Sequence, residues 1–234
     1  MTGILHSLLL TILCFMITAC QTSGIPNELE SKKISAARIN DRLGMAYLER
    51  HDIQRAKQKF LLALELAPTI PETWYSMAYF LESTGNKEKA KEYYMKAIAV
   101  APERGDALNN YGTFLCRSGD YAGAVVHFIK ATHDPKYLEQ ASAFENAGLC
   151  SLKIPNSKNA MAYFKKALEE DPNRPASLIE LSELNYKKGD YTLARHQLDQ
   201  HLQITAPSVQ SYLLEKKIES SSRGLSAGSN RRLV

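Results

Sequence analysis

The chain has 234 residues, 44% of them hydrophobic and 23% charged, a balance within the range of globular proteins. Its 29 basic and 25 acidic residues leave a formal charge of +4 and are interspersed along the chain. Nucleic-acid binding wants basic residues gathered on one face or stripe, so the composition argues against that class of partner. Four cysteines, Cys14, Cys20, Cys116 and Cys150, match the spacing of no zinc site and no disulfide framework.

The first segment, from Ile4 to Ala19, is mostly apolar, and Met1 to Ala19 holds no Asp, Glu, Lys or Arg. The run is shorter than the roughly 20 apolar residues that a helix needs to span a bilayer. Polar residues follow at once: Gln21, Thr22, Ser23 and Gly24. This is the outline of a secretory signal peptide. Its end, Ile17-Thr18-Ala19-Cys20, resembles a bacterial lipobox. The resemblance implies cleavage before Cys20 and a covalent lipid, palmitate among its chains, on the new terminal cysteine. Several acyl chains anchor stably where one holds only marginally. Gln21 behind the cysteine, where Asp would retain the protein, implies the outer membrane, with the chain facing the periplasm. The expected division is a signal peptide over 1–19 and a lipidated tether over 20–30.

Beyond the tether the sequence repeats. Ala56, Ala90, Ala124, Ala160 and Ala194 stand at intervals of 34, 34, 36 and 34. Four residues after each comes Phe60, Tyr94, Phe128, Phe164 or Leu198, and twelve before each comes Gly44, Ala78, Gly112, Gly148 or Ser182. Small residues at two facing positions let two helices approach closely, and the bulky residue fills the space beside that contact. Gly85, Gly119 and Gly189 suit the left-handed residue that ends a helix. Asn86, Asp120 and Asp190 suit the N-caps of the helices that follow. Pro68, Pro102 and Pro172 stop the second helices.

A 34-residue period with this pattern resembles the tetratricopeptide repeat. The units are 37–70, 71–104, 105–138, 141–174 and 175–208, with Glu139 and Gln140 inserted between the third and fourth. The fold expected is all-α, a right-handed α-solenoid of about five helix pairs over 31–219. A capping helix over 208–219, containing Val209, Tyr212, Leu213 and Leu214, closes it. One pair cannot bury its apolar face alone, so pairs must stack. The Ser- and Gly-rich segment 220–234 is expected to be disordered.

Motifs for catalysis are missing: there is no G-x-x-x-x-G-K-[ST] loop, no G-x-S-x-G elbow and no H-E-x-x-H. His196 and His201 are five residues apart, off the spacing that shares a helical face. The expectation is no catalytic residue, no metal, no cofactor and no small-molecule substrate. Cys116 and Cys150 fall at similar places on neighbouring first helices; buried thiols are favoured, and a disulfide depends on the geometry.

In the tetratricopeptide family the first helices line the concave face, and positions 2, 5, 9, 12 and 13 of each repeat meet the ligand. That resemblance implies a protein-binding face containing Glu72, Tyr75, Tyr79, Asn109, Thr113, Arg117 and Tyr186. Tyrosines and amides there suit an extended peptide or a partner helix. Position 5 is Asp41, Tyr75, Asn109, Glu145 and Ile179, with no lysine, which argues against a clamp for a terminal carboxylate.

Ala107-Leu108-Asn109-Asn110-Tyr111-Gly112-Thr113-Phe114-Leu115-Cys116, then Gly119-Asp120-Tyr121, resembles the central repeat of the PilF/PilW family of type IV pilus biogenesis lipoproteins. Ala46-Tyr47-Leu48 and the segment from Ala56 to Pro68 are similar as well. The resemblance implies a pilotin, a lipoprotein that brings the pilus secretin to the outer membrane and promotes its multimerisation. The partner implied is the secretin or another pilus-assembly protein. The alternative is an outer-membrane repeat lipoprotein serving β-barrel assembly or peptidoglycan enzymes. Family members usually carry a sixth repeat, which here is cut short after one helix.

Overall fold

The computed structural model describes residues 28–155 and 159–230, with side chains up to residue 222. The lipobox with Cys20, the tether before Glu28 and the last four residues lie outside the described residues. Eleven helices are described, and no strand: α1 (Glu28–Glu49), α2 (Ile53–Leu66), α3 (Pro71–Ser83), α4 (Lys87–Val100), α5 (Gly105–Arg117) and α6 (Tyr121–Ala131), then α7 (Gln140–Ser151), α8 (Ala160–Glu170), α9 (Pro175–Lys188), α10 (Tyr191–Ile204) and α11 (Val209–Asn230). They pair as α1–α2, α3–α4, α5–α6, α7–α8 and α9–α10, with α11 against the last pair.

The close approach inside each pair follows from the small residues. A Cβ on Gly44, Gly112 or Gly148 would run into the ring of Phe60, Phe128 or Phe164. Ser182 stands at this place in the fifth pair, and its hydroxyl donates to the Ala194 carbonyl at 2.7 Å instead of adding a methyl. Ala56, Ala90, Ala124 and Ala194 are completely buried, as are Phe60, Phe164 and Leu198. Burying one such side chain contributes about 2 to 3 kcal/mol.

The turns also follow the sequence. Gly85, Gly119 and Gly189 have φ of 87°, 90° and 86°. His51 occupies the same place in the first pair at φ 59°, a left-handed residue that sequence pattern did not signal. Each turn closes with a backbone bond from the next N–H to the carbonyl five residues back, as from Asp52 to Tyr47 and from Asp120 to Leu115. The side chains of Asp52, Asn86, Asp120 and Asp190 then cap α2, α4, α6 and α10.

Two expectations need correction. First, α11 continues to Asn230, past the expected end at Glu219 and into the segment expected to be disordered. The serines there do not break it: Ser220 and Ser222 donate to carbonyls of their own helix, and Ser221 meets the Tyr186 hydroxyl at 3.3 Å. On α11 it is Leu214 and Ile218 that are buried, against Ile179, Ala194 and Leu198, while Val209, Tyr212 and Leu213 point outward. Second, Cys116 on α5 and Cys150 on α7 are not free thiols but form a disulfide, with Cα atoms 6.0 Å apart. Equivalent positions on adjacent first helices put the two residues inside the 4.4–6.8 Å window that a disulfide requires.

Candidate protein-binding face

Each first helix touches the next first helix, α1 to α3, α3 to α5, α5 to α7 and α7 to α9, whereas consecutive second helices do not meet. The first helices therefore lie on the tighter, concave side. A ladder of polar contacts crosses from repeat to repeat along this side. Arg38 on α1 pairs with Glu72 on α3 at 3.6 Å, and Glu72 pairs with Arg104 at 3.2 Å. Arg104 also reaches Asp106 at 2.7 Å. Asn146 on α7 donates to Asn109 on α5 at 3.1 Å. Arg117 makes a two-pronged contact with Glu82 at 2.8 and 2.7 Å, and Tyr94 donates to the same carboxylate. Glu145 on α7 takes Arg174 at 2.7 Å and both the backbone N–H and the hydroxyl of Ser177. Such half-exposed pairs contribute modestly to stability, but they fix the register of neighbouring repeats.

The residues expected to bind a partner divide accordingly. Glu72, Asn109 and Arg117 sit on the face but are engaged between repeats. Thr113 donates to the Asn109 carbonyl of its own helix at 2.9 Å. Tyr75 is half-buried against the core around Tyr94 and Phe114, and burial, with Asp106 and Glu72 nearby, pushes its hydroxyl pKa up. Tyr79 remains 37% exposed. Tyr186 lies at the far end, its ring 5.5 Å from that of Tyr191 and its hydroxyl against α11. Tyr75, Tyr79, Asn109, Thr113 and Arg117 thus cluster on α3 and α5, and Tyr186 stands apart on α9.

One depression on the face was not singled out by the sequence pattern. It is a groove of about 860 Å³ between α1 and α3, bordered by Ile34, Arg38, Arg42, Met45 and Tyr75. Asp41 and Glu72 belong to its lining. Asp41 is only 7% exposed, and its Oδ1 and the Glu72 Oε2 are buried without a hydrogen-bond partner. Burial first, and then the neighbouring Glu72, push the Asp41 carboxyl up to about 7. An aspartate amid apolar repeats carries no signature in the sequence; only its neighbours mark it as unsatisfied.

Among the described residues, no three His, Cys, Asp or Glu side chains gather closely enough to hold a metal ion. Cys116 is locked in its disulfide, and His201 is tied to the Pro175 carbonyl at 2.9 Å and the Thr205 hydroxyl at 3.1 Å. No described helix is long and apolar enough to cross a membrane.

A superhelix of stacked helix pairs with a polar inner face defines a protein-interaction scaffold of the tetratricopeptide-repeat class. Tetratricopeptide-repeat models match residues 71–104 and 156–216. The chain is 33% identical over 208 residues to the type IV pilus assembly protein PilF of Pseudomonas aeruginosa, spanning 88% of this chain and 82% of that protein. A solved structure of Pseudomonas aeruginosa PilF superposes with a TM-score of 0.72 at 29% identity, covering 83% of this chain and 92% of the other. PilW, described as a widely conserved type IV pilus biogenesis factor, superposes with a TM-score of 0.68 at 27% identity, covering 83% and 89%. The chain belongs to the PilF/PilW family of tetratricopeptide-repeat proteins.

Proposed function

We propose that this chain is a lipid-anchored outer-membrane pilotin, a binding scaffold that brings the pilus secretin to the outer membrane and promotes its multimerisation. The observation that carries this reading is the family relation, which extends over most of both chains. Two further features support it. The Ile17-Thr18-Ala19-Cys20 lipobox supplies an anchor. The Cys116–Cys150 disulfide suits an oxidising compartment such as the periplasm.

The mechanism is concentration. Acyl chains on Cys20 hold the solenoid at the inner leaflet of the outer membrane. Its concave face captures a secretin monomer by backbone and side-chain contacts to an extended or helical segment. Tethering turns a dilute encounter of monomers into a local one and so favours the ring. No covalent step is involved, and the chain in this reading is not an enzyme.

The test is to capture the acylated full-length chain from detergent-solubilised membranes and identify its companions. A pilus secretin among them is the expected result. A β-barrel assembly or cell-wall complex in its place leaves the fold standing and overturns the pilotin reading.

A further inference from the structure

The repeats supply their own control for the groove between α1 and α3. Asp41 and Glu145 are both the fifth residue of their units, 37–70 and 141–174. Ile70 and Arg174 are both the last residue, and Thr73 and Ser177 both the third of the unit that follows. In the later unit, Arg174 places its guanidinium on Glu145 at 2.7 Å, and Ser177 donates its N–H and hydroxyl to the same carboxylate. The side-chain donors are missing or turned away at Asp41. Ile70 is apolar and half-buried against Ala37, Ala63 and Ala67. The Thr73 hydroxyl donates to the carbonyls of Ala67 and Ile70, both at 3.0 Å. Arg38, one turn before Asp41, is directed to Glu72 at 3.6 Å.

What remains is a carboxyl with a buried, unpartnered oxygen, beside a second carboxylate whose Oε2 is also buried and unpartnered. Both lie in an open groove, and a buried polar atom without a partner is destabilising. A cation that fills the place recovers that cost, and its stem can lie along Ile34 and Met45 in the groove wall. We propose that this groove is a receptor for an arginine side chain carried on an extended segment of a protein partner, with Asp41 and Glu72 receiving the guanidinium as Glu145 receives Arg174. The proposal rests on the reading of the concave face as a protein-binding surface, and it assigns to that face a chemistry: an arginine flanked by apolar residues.

The probe is a fluorescein-labelled peptide of alternating leucine and serine with one central arginine, titrated into the acylated full-length chain in detergent and read by anisotropy. The control carries citrulline, the neutral isostere, in place of arginine. The arginine peptide should bind at least tenfold more tightly than the citrulline peptide. Asp41→Asn should remove that difference. Ile70→Arg should remove it as well, by placing in the groove an intramolecular guanidinium of the kind that Arg174 provides. Circular dichroism and the urea midpoint of each variant check that the first helix pair remains folded, so that loss of discrimination is read as loss of the site. Equal affinity for the two peptides, no binding of either, or unchanged discrimination in both variants overturns the proposal. No pilus protein enters this titration, so its failure leaves the pilotin reading standing. Loss of the secretin from the pull-down leaves the arginine subsite standing.

Discussion

The first and fourth repeats are built on one frame and treat the same position in opposite ways. In the fourth, Glu145 is satisfied from within the chain by Arg174 and Ser177, and the neighbouring disulfide ties α7 to α5. In the first, Asp41 has no such partner and faces an open groove. A solenoid whose repeats touch only their neighbours can afford this division, because local stability is a sum of pair and interface terms. The middle of the array is locked by its own side chains, and the N-terminal end keeps a polar site in reserve for something else.

The largest effect that sharpens this comparison lies in the core. Phe128→Ala leaves a cavity under Gly112 and should cost about 3 to 5 kcal/mol, read as a lowered urea midpoint. Phe60→Ala should instead loosen the first pair while the middle repeats hold, separating the transition into two steps. Next comes the disulfide, which closes a loop across a sequence separation of 34. Its reduction should cost about 3 to 4 kcal/mol by the chain-entropy argument, and the arginine peptide should still bind. An equal loss of peptide binding on reduction would erase the distinction between a locked middle and an independent N-terminal groove.

A further effect is in pH. Asp41 titrates near 3.8 when unfolded and is pushed up to about 7 in the fold. A raised carboxyl contributes stability that is fully present below the unfolded value and is lost as pH rises through the folded one. Stability should therefore decline from about pH 4 to about pH 7 through this group. It is faced by Glu72 from α3, and Arg38 and Arg42 of its own helix line the same groove. Asp41→Asn should flatten that stretch of a urea-midpoint profile, and a profile left unchanged contradicts the unsatisfied state of the carboxyl.

Much of the fold could be read from the chain because each 34-residue unit faces the same packing problem and solves it with the same residues. Gly112 against Phe128 and Gly148 against Phe164 are the sequence pattern made into contacts. Asp120 and Asp190 cap where the pattern sets them. The end of α11 was not legible, because a run of serines reads as a poor core former although its hydroxyls can bond back along a helix. The disulfide was legible only as register, since spacing brings Cys116 and Cys150 level and does not set their distance. The residues expected to bind a partner lie on the first helices, but family positions did not reveal that Glu72, Asn109 and Arg117 already have partners in neighbouring repeats. Asp41 was hidden for the converse reason. Its character depends on Ile70 standing where the fourth repeat has an arginine, a difference whose meaning appears only once Arg174 is seen to reach Glu145.

The most direct test of the central claim, that a lipid-tethered scaffold concentrates secretin at the outer membrane, is the amount of heat-resistant secretin multimer in cells carrying Cys20→Ala. The variant keeps the whole solenoid and removes only the site of acylation. A marked fall in multimer, with the variant displaced from the outer membrane, is the predicted result. Multimer at the unaltered level, with the variant so displaced, contradicts the claim.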